Sequence, residues 1–137
     1  MITPLKLAAV SGASAFLLLG CTFALSQDAT VARGKVIYDK ECAACHGPTG
    51  EGGGAASLGL GLPPPDLVGL TGRNDGYFPR EFVRRFILGL LEKEPGAAMP
   101  DFATVGLAHV YPNGGADGEL LAADVEALLD YLESLQE

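Results

Sequence analysis

The sequence predicts a small all-α domain, because apolar residues recur at helical spacing in its best-patterned stretches. In the C-terminal stretch, apolar residues recur at alternating intervals of four and three positions, with acidic residues between them. The apolar residues are Leu121, Val125, Leu128, Leu132 and Leu135. A second helix is predicted around Pro79, since proline is tolerated in a first helical turn. Its apolar stripe is Phe82, Val83, Phe86, Ile87 and Leu90. No segment alternates convincingly as a strand would, and no internal repeat is present.

The beginning of the chain is typical of an export segment rather than of a folded domain. Lys6 is followed by residues 7–25, which carry no charge and are largely apolar. A short basic start before an apolar run is the pattern of an export signal. We therefore divide the 137 residues into a signal or anchor over 1–26 and a single domain over 27–137.

Three fates of this segment are compatible with the sequence. Leu18-Leu19-Gly20-Cys21 resembles a bacterial lipobox, in which Cys21 is acylated. The small residues Ala24 and Ser26 also suit cleavage before Gln27, and an uncleaved run of this length could remain as a membrane anchor. The unpaired Cys21 favours the lipobox, because a lone thiol in an exported protein is a liability unless it is used. Each fate predicts a domain on the periplasmic side of a bacterial membrane, lipid-anchored, signal-anchored or soluble.

The charge balance is acidic, with 9 basic and 17 acidic residues. This balance argues against a nucleic-acid partner, whose phosphates require lysine and arginine. The charges are also unevenly placed: no lysine or arginine occurs after Glu94, whereas a basic group in mid-sequence contains Arg73, Arg80, Arg84 and Arg85. Such asymmetry can steer a charged partner, although a solvated helix face is the more common explanation.

The most informative stretch is Cys42-Ala43-Ala44-Cys45-His46. A C-x-x-C-H run is typical of c-type haem attachment. Two thiols three residues apart lie on the same side of a helical turn, so both can add to the vinyl groups along one edge of the porphyrin. The adjacent histidine then supplies an imidazole to the iron. The motif predicts one covalently bound haem c.

Two other interpretations of the same residues are weaker. A structural zinc site needs four ligands, and the only further Cys or His residues are Cys21, within the export segment, and His109. A thioredoxin-like redox pair is expected beside alternating strands and helices, which this sequence lacks.

The surroundings of the motif resemble the class I (mono-haem) bacterial cytochrome c family. Gly34 and Tyr38 precede Cys42 at steps of four; in that family such a glycine and aromatic meet the C-terminal helix at a close crossing. Leu128 and Tyr131 have the spacing of the partner pair. The resemblance covers nearly all of residues 28–135. It implies the small cytochrome c fold, with three to five helices around one covalently bound haem c.

Two loops carry the same resemblance. The turn-rich segment 47–52 is similar to the C-H-G-x-x-G-x-G opening of many bacterial cytochromes c. In the family, a proline carbonyl in the following loop accepts a hydrogen bond from the second nitrogen of the ligating imidazole, which fixes the ring. Pro63, Pro64 and Pro65 are the candidates for this role with His46.

The second axial ligand is predicted to be Met99. It is the only methionine outside the export segment, and Met with His is the ligand pair of cytochromes c. It stands in Ala98-Met99-Pro100-Asp101-Phe102, which looks like the family's ligand loop. The flanking Gly96 and Pro100 favour a loop over a core position. His109 is the alternative ligand; lining the loop before the last helix is its more ordinary role.

We expect an electron-transfer protein rather than an enzyme, since no catalytic constellation is apparent. The leading hypothesis is a one-electron carrier between membrane or periplasmic redox proteins. The alternative is a fixed electron-entry subunit of a larger oxidase, reductase or dehydrogenase complex. A haem sensor or peroxidase-like enzyme would need an open or displaceable sixth position, against which Met99 speaks. The expected partners are redox proteins, and the expected location is membrane-associated through Cys21 or an anchor.

Overall fold

A computed structural model describes residues 27–111 and 122–137. Within these ranges it contains five α-helices and no strand, which confirms the all-α prediction. The helices are α1 (27–41), α2 (Ala43–His46), α3 (Arg80–Ile87), α4 (Phe102–Val105) and α5 (Ala122–Ser134). Short 3-10 turns occur at Ala55–Ser57 and Gly72–Asn74. The predicted export segment with Cys21 lies outside the described residues, as do residues 112–121, which include part of the loop expected before the last helix and Leu121 of its predicted stripe.

The framework is the crossing of α1 and α5, and its closeness depends on Gly34. A Cβ at Gly34 would lie 2.6 Å from the carbonyl carbon of Ala127 and 2.7 Å from Cβ of Tyr131. One turn further along α1, the Tyr38 ring packs against Tyr131 with centroids 5.3 Å apart. The predicted roles of Gly34, Tyr38 and Tyr131 are confirmed. Ala127 rather than Leu128 supplies the backbone that Gly34 touches.

The core lies where α1, α3, α4 and α5 meet. Ile37, Tyr38 and Leu129 are its fully buried large side chains. The other members of this buried cluster are Val83, Ile87, Phe102, Leu107, Val125, Leu128, Tyr131 and Leu132. The apolar stripe predicted for α5 is therefore the side that faces the core.

Helix α3 is shorter than its predicted stripe. It ends at Ile87 with Leu88 as its C-cap, and Gly89 follows with a φ of 73°. The amide of Gly89 donates to the carbonyl of Phe86, and that of Leu90 donates to Arg85, which is the hydrogen-bond pattern of a glycine-terminated helix. Val83 and Ile87 are buried, as predicted. Leu90 was wrongly assigned to the helical stripe, because the left-handed turn at Gly89 places it beyond the helix.

The basic residues of α3 pair with the acidic residues of α5. Arg80 lies 2.9 Å from carboxylate oxygens of both Glu126 and Glu133, and it also contacts Asp130. Arg84 pairs with Glu126. The prediction of a solvated arginine face is therefore wrong for these two residues, since both pair with carboxylates of α5. The described residues contain no helix that is long and apolar enough to cross a membrane.

Candidate haem site

The two cysteines and the histidine are held on one helical turn at the end of α1. The amide of Cys42 donates to the Tyr38 carbonyl at 2.9 Å, which continues the α1 pattern. The amides of Cys45 and His46 both donate to the Cys42 carbonyl, at 3.1 and 2.9 Å. Within the part of the chain that is described, neither thiol forms a disulfide. The motif thus presents two thiols and an imidazole from one rigid turn.

The glycine-rich segment after His46 folds back over this turn. Gly47 has a φ of 79°, and its carbonyl accepts a 2.6 Å hydrogen bond from the Tyr38 hydroxyl. The amide of Gly52 donates to the His46 carbonyl at 2.8 Å. At Gly54 a Cβ would come within 2.6 Å of the Ala44 carbonyl carbon. The glycines of this segment therefore permit both the reversal and the close approach of backbone to α2.

The His46 ring is buried, and one of its nitrogens has a defined partner. Its Nδ1 lies 3.1 Å from the carbonyl oxygen of Pro65, which distinguishes Pro65 from Pro63 and Pro64. Burial lowers the pKa of His46, and the bond to Pro65 opposes that change only in part. The ring is therefore neutral at neutral pH. Donation from Nδ1 to the carbonyl leaves the Nε2 lone pair for a metal.

Asp66 holds the loop that carries the Pro65 carbonyl. Its carboxylate accepts hydrogen bonds from the amides of Val68 at 2.8 Å and Gly69 at 3.2 Å. Arg73 completes the arrangement with a 2.9 Å contact to the same carboxylate. The bond from Arg73, followed by that from Val68, lowers the pKa of Asp66. Sequence reasoning missed this pair, although an aspartate that caps the amides two and three residues on is a known turn pattern.

The thiol of Cys42 is largely buried. Burial, and after it the charges of Glu41 and Cys45, raise the pKa of Cys42 to about 12. A thiol with so high a pKa is protonated at neutral pH and is a weak nucleophile. The packing at this turn therefore protects Cys42 rather than activating it.

Met99 lies in the loop between α3 and α4. Its side chain is partly buried and packs against the same apolar cluster that Cys42 contacts. Gly96 has a φ of 92°, which forms a turn before Met99, and α4 begins shortly after it at Phe102. The side chain of Lys93 donates to the carbonyl oxygens of Met99 at 3.0 Å and Pro100 at 3.1 Å. Sequence reasoning did not identify Lys93, because nothing local marks a lysine that reaches forward to a loop.

His109 is engaged away from the core. Its side chain is 74% exposed, and Nδ1 lies 2.8 Å from the Glu41 carboxylate. Glu41 also accepts hydrogen bonds from the amides of His109 at 2.7 Å and Val110 at 2.9 Å. The Glu41 side chain is itself buried, directly before Cys42. These bonds tie the segment after α4 to the end of α1.

The donor groups fit a covalently bound haem better than a bare metal ion. Two thiols on one turn, a neutral imidazole oriented through Nδ1, and a thioether sulfur are the groups that attach and ligate haem c. In residues 27–111 and 122–137, no three His, Cys, Asp or Glu side chains are grouped closely enough to hold a metal ion. The residues present therefore suit an iron porphyrin rather than zinc.

Comparison with known proteins also indicates a haem-binding domain. The family model described as Cytochrome c matches residues 31–136. A subunit of the Cbb3-type cytochrome c oxidase of Azospirillum sp. (strain B510), CcoP, is 57% identical over 35 residues. That alignment covers 25% of this chain and 12% of the relative. No solved structure gives a significant match.

Proposed function

The chain belongs to the cytochrome c family, and we propose that it transfers single electrons through one haem c attached to Cys42 and Cys45 and ligated by His46 and Met99. Covalently bound haem and haem-based electron transfer follow from the family; the residue assignments are the proposal. The observation that supports these assignments is the Cys42–His46 turn. There the Nδ1–H of His46 donates to the Pro65 carbonyl, which leaves Nε2 available to bind the iron. When bound, the haem iron supplies the reversible ferric–ferrous couple.

The protein groups around the iron favour transfer over catalysis. Pro65 fixes the plane of the His46 ring, so the imidazole is preorganised in both oxidation states. Met99 would supply the second ligand, and this soft thioether would raise the reduction potential. With His46 and Met99 both holding the iron, no ligand position would remain for an exogenous substrate.

Met99 is preferred to His109 as the second ligand. The Nδ1 and the backbone amide of His109 are hydrogen-bonded to the Glu41 carboxylate at the end of α1, and the His109 ring is largely exposed. Met99 instead packs against the buried cluster that Cys42 also contacts. The Nε2 of His109 is left free just as that of His46 is, so the preference rests on exposure: the His109 side chain is 74% exposed, whereas Met99 packs against the buried cluster.

The test of the function is a redox titration of the matured protein. We expect a single reversible transition that follows the one-electron Nernst equation, with one haem per chain by pyridine haemochrome assay. Ferrous protein should bind carbon monoxide slowly or not at all, because Met99 occupies the sixth position. Rapid carbon monoxide binding by the wild type would contradict the carrier function and favour a sensor or enzyme.

Whether the domain is a mobile carrier or a fixed subunit is a second question. The CcoP relative is by name an oxidase subunit, which is compatible with a fixed electron-entry subunit, but the alignment is too short to favour it. We propose the mobile carrier between membrane or periplasmic redox proteins. Purification from native membranes tests it: a stable partner at fixed stoichiometry would refute the mobile carrier.

We also propose that residues 1–26 direct export and that Cys21 carries a lipid anchor. The support is the lipobox-like Leu18-Leu19-Gly20-Cys21, which closes a stretch with a short basic start and an uncharged, largely apolar run. Mass spectrometry of the mature N-terminus should find acylated Cys21. An unmodified N-terminus at Gln27 would refute lipidation and leave a soluble periplasmic protein.

A further inference from the structure

The segment between α3 and α4, residues 88–101, contains no α-helix and carries Met99 near its end. An irregular segment of this length needs specific contacts to hold one conformation, because ordering its backbone costs conformational entropy. Three side-chain hydrogen bonds to the last residues of this segment come from one side chain, that of Lys93.

The Lys93 ammonium has three acceptors, all in the loop of Met99. It donates to the carbonyl oxygens of Met99 at 3.0 Å and Pro100 at 3.1 Å, and it contacts the carboxylate of Asp101. An ammonium group has three N–H donors, so its hydrogen-bonding capacity is fully used. Its side chain is only 13% exposed, although lysine is rarely buried unless it is paired.

Two further contacts connect this arrangement to α3. The Lys93 Nζ lies 5.6 Å from the centroid of the Phe86 ring, within the range of a cation–π interaction. Asp101 packs so closely on Gly89 that a Cβ at Gly89 would lie 2.6 Å from the Asp101 Cβ. Lys93 therefore contacts both the end of α3 and the loop that carries Met99.

We propose that Lys93 is a positioning residue that holds the Met99 loop against the iron and so controls how readily Met99 is displaced. This inference rests on the proposed ligation by Met99. The loop carbonyls that Lys93 holds are those of Met99 and of the residue directly after it. Withdrawal of the thioether moves this backbone, and the bonds to Lys93 must then break. In this proposal Lys93 acts through the loop, by way of the Met99 and Pro100 carbonyls, and not as a ligand of the iron.

The experiment measures imidazole binding to the ferric, haem-containing full chain. The variants are Lys93→Met, which keeps the side-chain length and removes the donors, and Lys93→Arg, which keeps a charged donor. Lys35→Met is the matched control, because Lys35 forms an exposed pair with Asp39 at 2.7 Å on α1. Stopped-flow spectra follow the loss of the weak long-wavelength band of Met-ligated ferric haem.

We expect Lys93→Met to bind imidazole about tenfold faster than the wild type, since a charge-assisted contact is lost on the loop that must open. Lys93→Arg should restore a slower rate, and Lys35→Met should match the wild type. Asp101→Asn, which leaves Lys93 and its carbonyl bonds in place, should give a smaller acceleration. This variant keeps the inference testable if Lys93→Met does not mature.

Failure of the inference and failure of the proposed function give different results. If the wild type shows the Met-ligation band but Lys93→Met binds imidazole at the wild-type rate, the positioning role is refuted and Met99 ligation stands. If the wild type lacks the band and Met99→Ala binds imidazole at the wild-type rate, Met99 is not the ligand and both are refuted. If Lys93→Met and Lys35→Met accelerate binding equally, the effect is one of net charge, and the positioning role is again refuted.

Discussion

The orientation of His46 depends on a carbonyl, and that carbonyl depends on Asp66. Pro65 accepts from His46 Nδ1 at 3.1 Å, while the next residue, Asp66, fixes the loop through two amides and Arg73. A carbonyl cannot be changed by substitution, but its support can. We therefore predict a measurable role for Asp66, although it is not a proposed ligand of the iron.

Asp66 gives a pH-dependent prediction whose sign follows from its lowered pKa. A carboxyl whose pKa is lower in the folded state contributes stability above its unfolded pKa, near pH 4, and that contribution is lost as pH falls through the folded pKa. Asp66→Asn should thus unfold at a lower denaturant concentration than the wild type at pH 7. We expect its free energy of unfolding to be lower by less than about 1 kcal/mol, because the Arg73 pair is half-exposed. The difference should shrink at pH 3.

Denaturant unfolding of the haem-containing protein at both pH values measures this effect. Glu92→Gln, at an exposed carboxylate elsewhere, is the control and should leave the unfolding midpoint unchanged at pH 7. An Asp66→Asn deficit that persists undiminished at pH 3 would show that the charge of Asp66 is not what holds the loop.

At the scale of elements, the crossing of α1 and α5 determines how close the haem-bearing turn can come to the C-terminal helix. Glycine inside a helix costs about 1 kcal/mol against alanine, so helix propensity alone would favour Gly34→Ala. The structure reverses that sign, because the added Cβ would lie 2.6 Å from the Ala127 carbonyl carbon. Backbone on one side and the Tyr131 side chain on the other leave no flexible neighbour to move.

We therefore predict that Gly34→Ala destabilises the protein by about 2–3 kcal/mol, the typical cost of overpacking. Gly72→Ala is the control: no atom lies within 4 Å of its added Cβ, and its change should stay within about 0.5 kcal/mol. Guanidinium denaturation of the haem-containing variants measures both. Equal stability of Gly34→Ala and the wild type would contradict the close crossing.

What the sequence could predict at these two scales depended on whether the signal was local. The attachment motif and the apolar side of α5 follow from spacing along the chain, whereas the roles of Gly34 and Tyr38 follow from the resemblance to the cytochrome c family. The structure agrees with the crossing and the core. The end of α3 was missed, because it is decided by the left-handed turn at Gly89 rather than by the apolar period.

The ion pairs were missed for a different reason. Arg80 lies 53 residues from Glu133, and Lys93 reaches forward to the carbonyls of Met99 and Pro100. Such contacts depend on where the helices and loops are placed in space, which periodicity does not encode. A basic cluster in mid-sequence and an acidic C-terminal stretch allowed either solvation or pairing, and only the packing of α3 on α5 decided between them.

At the scale of the whole molecule, negative charge is in excess because 17 acidic residues outnumber 9 basic ones. The net charge of the chain is −8. Among the described residues, six cations form ion pairs with carboxylates: Arg33, Lys35, Arg73, Arg80, Arg84 and Lys93. From the net charge we predict that an approaching redox partner meets a predominantly negative potential.

This charge predicts opposite salt effects for small reagents of opposite sign. Electron transfer with hexaamminecobalt(III), a cation, should slow several-fold as ionic strength rises from about 10 to about 150 mM, because screening removes the attraction. Reaction with ferricyanide, an anion, should accelerate over the same range. Stopped-flow rates measure both, and a ferricyanide rate that falls with salt would show a positive surface at the haem edge.

The central claim is the His46/Met99 ligation of one covalently held haem, and the optical spectrum of matured wild type and Met99→Ala tests it most directly. We predict that ferric wild type shows the weak long-wavelength band of Met ligation, that Met99→Ala lacks it, and that only the ferrous variant binds carbon monoxide readily. If wild type lacks the band and binds carbon monoxide as readily as Met99→Ala, the sixth position is open and the electron-carrier account is contradicted.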